Sequence, residues 1–198
     1  LLTYEMGSTD KVVEYIDECR KVMLPAGGDK RGVKVLPPDV NVSNVDFTPV
    51  YEEKSSGKKK KTTEGVIRFG LAAVKGVGTK AVEAVIKNRA EKGPFAIIYE
   101  FAERVDLRAM NRATIEALIK AGAFDSLGGK RAQHLAVLDR ALEMGQQTQQ
   151  DVRSGQMSIF GTGASAPAST QISLPDVEEF KNAELLKYEK EVLGFYIT

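Results

Sequence analysis

Ala72-Ala73-Val74-Lys75-Gly76-Val77-Gly78-Thr79-Lys80-Ala81 sets two glycines one residue apart between two stretches of helical patterning. Glycine accepts the positive φ that a tight turn needs, and its missing side chain lets another group come close to the backbone. Gly78 stands just before a helix read over 79–91. The first N–H groups of such a helix have no partner within it, and with the helix dipole they form an anion site. Lys75 and Lys80 place positive charge on either side, and Val77 is the apolar residue that turns inward to lock the two helices.

Working outward from this turn, the pattern predicts a mainly α chain with a small antiparallel β element. Upstream, TDKVVEYIDECRKV at 9–22 reads as a helix, with Val12, Ile16 and Cys19 on one stripe. Residues 24–32 read as a loop, and 33–42 as extended because Pro37-Pro38 excludes helix. Short strands are expected at 46–53 and 65–71, on either side of a flexible basic excursion, KSSGKKKKTTE, at 54–64. Downstream, helices are expected at 71–75, 79–91, 97–104, 111–121 and 130–150, with breaks at Gly93-Pro94 and Gly128-Gly129. Residues 161–175, rich in Gly, Ala, Ser and Pro, read as a mobile linker. A last helix at 177–192 is expected to dock separately, through Val177, Phe180, Leu185, Leu186, Tyr188 and Val192.

Composition narrows the function classes. The net charge is only +1, so any contact with nucleic acid must be local rather than spread over the whole chain. One cysteine, Cys19, and one histidine, His134, exclude an internal disulfide and argue against a zinc site. No apolar run approaches bilayer length, which argues against membrane partnership, and the lone cysteine fits a reducing cytoplasm. The start on Leu1 and the apolar ending Gly194-Phe195-Tyr196-Ile197-Thr198 read as the edges of a piece of something larger.

Lys75, Gly76, Val77, Gly78, Thr79 and Lys80 follow the pattern of a helix-hairpin-helix motif, whose chemistry is sequence-independent contact with DNA phosphates. The plain alternative is a helical corner with a glycine cap. DNA glycosylases use the same hairpin with a nucleophilic lysine at the place of Lys80. That chemistry also needs a carboxylate a helix further on, where this chain has Ala96, Ile97, Ile98 and Tyr99, with Glu100 inside a helical pattern. Residues 107–124 form a second, degenerate helix-turn unit, with Asn111 as cap, Ile115, Leu118 and Ile119 as core and Gly122 as stop; it is read as a packing helix. Arg104, Arg108 and Arg112 are read as solvated arginines rather than a basic edge.

Seven phrases in order resemble the bacterial DNA polymerase III alpha subunit: EYIDECRK (14–21), KVLPPDVNVS (34–43), IRFGLAAVKGVG (67–78), GPF (93–95), IEALIKAGAFDSLGG (115–129), SGQMSIFG (154–161) and YEKEVLGFYIT (188–198). The resemblance implies the end of a fingers domain at 1–32, a β element with a basic insertion at 33–70 and a helix-hairpin-helix module at 71–129. It further implies a long helix with a clamp-binding motif at 130–160, the linker at 161–175, and a helix leading toward an OB-fold domain at 176–198. Gln156-Met157-Ser158-Ile159-Phe160 resembles the glutamine-led motif that grips the sliding clamp, with Ile159 where the family has Leu or Met. The family polymerises DNA with Mg2+ held by palm aspartates. Asp39 and Asp46, the nearest acid pair here, do not match that motif, so no catalytic residue and no cofactor is expected in this chain. The implied partners are double-stranded DNA, the clamp and other replicase subunits. Residues 24–32 and 54–64 look like insertions, and Lys58 to Lys61 are expected to be solvated more readily than to touch phosphate. The alternative is a stand-alone helix-hairpin-helix protein of DNA repair or recombination.

Overall fold

The computed structural model describes residues 1–22, 32–56, 60–154 and 173–197. Six helices dominate: α1 (Thr9–Lys21), α2 (Thr79–Lys92), α3 (Ile98–Arg104), α4 (Arg112–Lys120), α5 (Arg131–Arg153) and α6 (Asn182–Leu193). Three strands, β1 (Val35–Leu36), β2 (Thr48–Ser56) and β3 (Lys60–Arg68), form one sheet in the order β1-β3-β2. The expected antiparallel hairpin is present, running in register from Thr48 opposite Arg68 to Ser56 opposite Lys60. The third strand joins in parallel, with Val35 opposite Ile67. Pro37-Pro38 stops β1, and the chain crosses over through 39–47 before β2 begins.

The basic excursion is mostly not a loop. Residues 54–56 and 60–64 lie within the paired strands, because backbone pairing carries the ladder onward and Thr62-Thr63 suit a strand. Of the remaining expectations, the loop at 24–31, the linker at 161–172 and the pentapeptide Gln156 to Phe160 lie outside the described residues.

The PPDVN phrase staples the sheet to the helices. Asp39 Oδ1 accepts from the Asn41 N–H (2.7 Å) and the Ser126 hydroxyl (2.9 Å). Asn41 then pairs twice with Phe95, Nδ2 donating to the Phe95 carbonyl at 2.9 Å and Oδ1 accepting its N–H at 2.8 Å. Arg89 donates to the Val40 carbonyl at 2.8 Å. Beneath this staple one core runs through the chain. Phe95, Phe101 and Phe124 stack edge to face with centroids 4.9 Å apart at each step. The core reaches Val12 and Ile16 of α1 at one end, and Phe195 meets Phe69 at 5.8 Å.

Helix α5 packs closely on α3. A Cβ on Gly145 would fall 2.5 Å from the Ala102 carbonyl oxygen, so only glycine lets the helices approach this far. One turn on, Gln149 Nε2 donates to the carbonyls of Ala102, Glu103 and Val105 and closes the end of α3.

The last segment is not separately docked. Its helix starts at Asn182, five residues later than expected, because 173–181 run extended over the start of α5. There Glu179 accepts the N–H groups of Arg131 (2.9 Å), Ala132 (3.0 Å) and Phe180 (2.9 Å), acting as a cap from outside the helix. Burial would raise the Glu179 pKa, but those three N–H groups and the Arg131 charge hold it below the ordinary carboxylate value. Arg131 is itself buried, held by Asp125 (2.9 Å) and by Glu189 of α6 (3.1 Å). Glu189 also accepts the Ile197 N–H at 2.8 Å. Burial pushes the His134 pKa down, and the single histidine sits in the core. No described helix is long and apolar enough to cross a membrane.

Replacing Arg131 by Met takes its guanidinium away from the fully buried Glu189. Urea unfolding of Arg131→Met is expected to show a loss of about 3–5 kcal/mol.

Candidate nucleic-acid interface

The glycine-flanked turn is built on a close approach. A Cβ on Gly70 would lie 2.6 Å from the Val45 carbonyl oxygen, and this proximity lets Leu71 and Ala72 donate to the carbonyls of Asn44 (2.9 Å) and Val45 (3.1 Å). The chain then makes one 3-10 turn, Leu71–Ala73, shorter than the expected helix. Val74 is buried beneath it, and Val77 N–H donates to the Val74 carbonyl at 3.1 Å. Gly76 has φ +83°, which turns the chain, and Val77 is buried beneath it, as its pattern predicts.

The two glycines have different roles. Gly78 caps α2 with φ −83°, a conformation open to any residue. A Cβ at Gly76 or at Gly78 would meet nothing within 4 Å. Only Gly76 is therefore demanded by backbone geometry; what glycine at 78 provides is open space above the helix start. Ala81 and Val82 both donate to the Gly78 carbonyl, whereas the N–H groups of Gly78, Thr79 and Lys80 meet no acceptor among the described residues. Lys75, Gly76, Gly78, Thr79 and Lys80 are all exposed. Three open N–H groups at the positive end of a 14-residue helix, between two exposed lysines, make a surface that attracts an oxyanion.

Two distant elements hold this turn from behind. Lys75 N–H donates to the Val192 carbonyl of α6 at 2.9 Å. Thr114 Oγ1 of α4 lies 3.4 Å from the Gly76 carbonyl, and Asn111 caps α4 by accepting the Thr114 N–H at 3.0 Å. The sequence signals Asn111 through its capping position, but nothing local marks Thr114 or Val192 as supports of the turn.

The arginines divide. Arg104 is not solvated: it stacks on Phe95 with its guanidinium 4.3 Å from the ring centroid and donates to the Gly93 carbonyl at 2.6 Å and to Glu100 at 2.7 Å. It closes the end of α2. Arg112 pairs with Glu116 and Asp139, both at 2.6 Å, and Arg108 is exposed. Glu100 accepts the Ala96 N–H at 2.7 Å besides its pair with Arg104. That engagement removes it as the acid partner a nucleophilic lysine at 80 would need.

A family profile described as "Helix-hairpin-helix motif" matches residues 32–134, from before β1 into the start of α5. This chain belongs to the helix-hairpin-helix family. Along its whole length it is also similar to a segment of DNA polymerase III subunit alpha. The relative in Pseudomonas aeruginosa is 37% identical over 214 residues, covering all of this chain and 16% of the relative. That of Thermus aquaticus is 36% identical over 198 residues, again all of this chain and 14% of the relative. That of Saccharopolyspora erythraea is 37% identical over 209 residues, with 15% of its length covered. The turn at 74–78 lies inside the matched region, while most of α5 and all of α6 lie beyond it.

The unequal demands at 76 and 78 make a test of the turn. Gly76→Ala forces a side chain into positive φ and is expected to lower stability by about 1–2 kcal/mol. Gly78→Ala is expected to cost under about 1 kcal/mol, the ordinary scale of an N-cap change. Thermal unfolding of the two single variants reads the difference.

Proposed function

We propose that this chain is the noncatalytic DNA-holding and clamp-binding segment of a cytoplasmic, template-directed replicative DNA polymerase, a nucleotidyltransferase. The observation that carries it is the row of unaccepted N–H groups at Gly78, Thr79 and Lys80, framed by exposed Lys75 and Lys80. Such a row fits a phosphate oxygen and ignores base identity. The full-length similarity to polymerase alpha subunits favours this reading over a stand-alone repair or recombination protein. In this reading residues 1–32 end the fingers, 33–70 form the β element, 71–129 hold DNA, 130–160 carry the clamp motif, 161–175 link, and 176–198 lead toward an OB-fold.

The Mg2+ that polymerisation requires does not fit the residues present. Asp39 is engaged with the Asn41 N–H and the Ser126 hydroxyl, and the described residues hold no cluster of His, Cys, Asp and Glu able to bind a metal. In this proposal the metal and the chemistry belong to the palm of the parent enzyme. Gln156, Met157, Ser158, Ile159 and Phe160 supply the clamp contact: the glutamine amide both donates and accepts, and Ile159 and Phe160 are adjacent apolar anchors.

Duplex binding by the purified chain is expected to be weak and alike on unrelated sequences, with a salt slope of roughly 0.9 per phosphate neutralised. Each N–H to phosphate contact contributes about 1.5–3 kcal/mol. Lys75→Ala with Lys80→Ala should weaken binding on every sequence equally; undiminished affinity across a salt series would remove the turn as the contact. For the clamp, the parent chain is expected to bind on the micromolar scale, about −8 kcal/mol, and Ile159→Ala plus Phe160→Ala to lose several kcal/mol of it, read by titration against the clamp of the same organism. Equal affinity would exclude the pentapeptide.

A further inference from the structure

His134 is the one buried polar side chain left without a partner among the described residues. It is 1% exposed, and neither Nδ1 nor Nε2 has a hydrogen-bond partner there. A neutral imidazole carries one donor and one acceptor, and buried polar groups are nearly always satisfied. Beside the ring lies a small cavity of about 20 Å3, lined by Ile97, Ile98, Tyr99, Leu127, His134 and Leu174. All but Leu174 belong to the helical body; Leu174 comes from the extended segment 173–181.

That segment is a strap laid over the head of α5. Gln133 Nε2 donates to the Pro175 carbonyl at 2.6 Å, and Lys130 Nζ donates to the Val177 carbonyl at 3.1 Å. Glu179 takes the N–H groups of Arg131 and Ala132. Leu174 is its apolar anchor beside the histidine, seated against Gly129 where a Cβ would collide with it. Asp176, Val177 and Glu178 are exposed.

A proton on the ring finds no free counter-charge. Asp125 and Glu179 both favour one, but Asp125 pairs with Arg131 at 2.9 Å and Glu179 is taken up by N–H groups. Tyr99 faces the ring from α3 as a neutral phenol, and its neighbours on α5, Lys130 and Arg131, are cations. The Gly128 carbonyl also favours a proton, yet falls outside hydrogen-bond geometry. Desolvation outweighs these influences.

We propose that the strap is a pH-sensitive latch: proton uptake by His134 requires Leu174 to leave the ring, and the strap lifts from the head of α5 with it. Water then reaches the imidazolium through the opening. Burial holds the seated-state pKa below the ordinary 6.5, so the seated strap is favoured at higher pH and loses stability as pH falls through that value. Glu179, held below the ordinary carboxylate value, keeps its charge throughout this window. Once released, residues 173–181 lengthen the connection between α5 and α6. The latch does not depend on whether the turn at 74–78 binds DNA.

The experiment follows amide hydrogen exchange of the 198-residue chain by NMR from about pH 7.5 to about pH 5.5, each rate corrected for its intrinsic pH dependence. The reporters are the N–H groups of Arg131 and Ala132, which lie in the first turn of a helix and rely on Glu179 as acceptor. Their protection in the parent is expected to fall by up to about tenfold, the factor by which a ring of ordinary pKa favours the open form over one barred from protonation. Leu118, inside α4, should keep its protection. His134→Leu should hold Arg131 and Ala132 protected throughout, whereas Glu179→Gln should weaken them at every pH and keep the pH dependence. Constant protection in the parent overturns the latch, as does a pH-dependent loss that survives in His134→Leu. An equal loss at Leu118 overturns it too, because the chain then opens as a whole. Should His134→Leu not fold, the ring protons of His134 in the parent decide: titration with the same midpoint as the loss at Arg131 and Ala132 supports the latch, and titration without that loss removes it.

Discussion

Arg131 is a charge taken out of water, and the C-terminal half of the chain is arranged to make that tolerable. Its guanidinium needs Asp125 on one side and Glu189 on the other, and it needs room: a Cβ on Gly122 would lie 2.3 Å from its Nη2. A buried ion pair gains little over apolar packing of the same shape, but losing one member of it is costly. The arrangement therefore acts as a specification. It fixes the Gly122 turn, the start of α5, the docking of α6 and, through Glu189, the path of Ile197. The side chain of Glu179 closes the same corner by accepting two N–H groups of α5.

What α6 gains from this corner it delivers to the turn at 74–78. Its last residues include Val192, whose carbonyl accepts the Lys75 N–H, and α4 offers Thr114 to the Gly76 carbonyl. The exposed side of the turn is thus left with N–H groups that meet no acceptor among the described residues, while its hidden side is tied to α6 and α4. Rigid support behind and open donors in front is the condition under which backbone amides bind an anion without first reorganising.

The parts legible in the sequence are those governed by near neighbours. Gly93-Pro94 ends α2 as its backbone chemistry dictates, Asn111 caps α4, and the Gly76-Val77-Gly78 spacing announces the turn. The misreadings share a cause in distance. Arg104 looks like a surface arginine until the end of α2 is seen to need a donor. The helix expected from 177 starts at Asn182 because Glu179 is wanted at the head of α5. The lysine-rich stretch reads as a loop by composition, yet pairing across the hairpin extends both strands into it. A two-residue strand such as β1 carries no periodicity at all, and its parallel pairing follows from the crossover.

The bond from Arg20 to the Tyr196 carbonyl joins residues 176 positions apart. Contacts of that span close late, since the entropy of bringing distant segments together must be met before they return anything. On the ribosome the helix-hairpin-helix region emerges and can collapse before α6 has been made, so the turn at 74–78 exists for a time with support from α4 but not from α6. In that interval its open amides are exposed on a backbone not yet held in place. Synthesis of α6, rather than formation of the turn itself, is then the step that matures the surface.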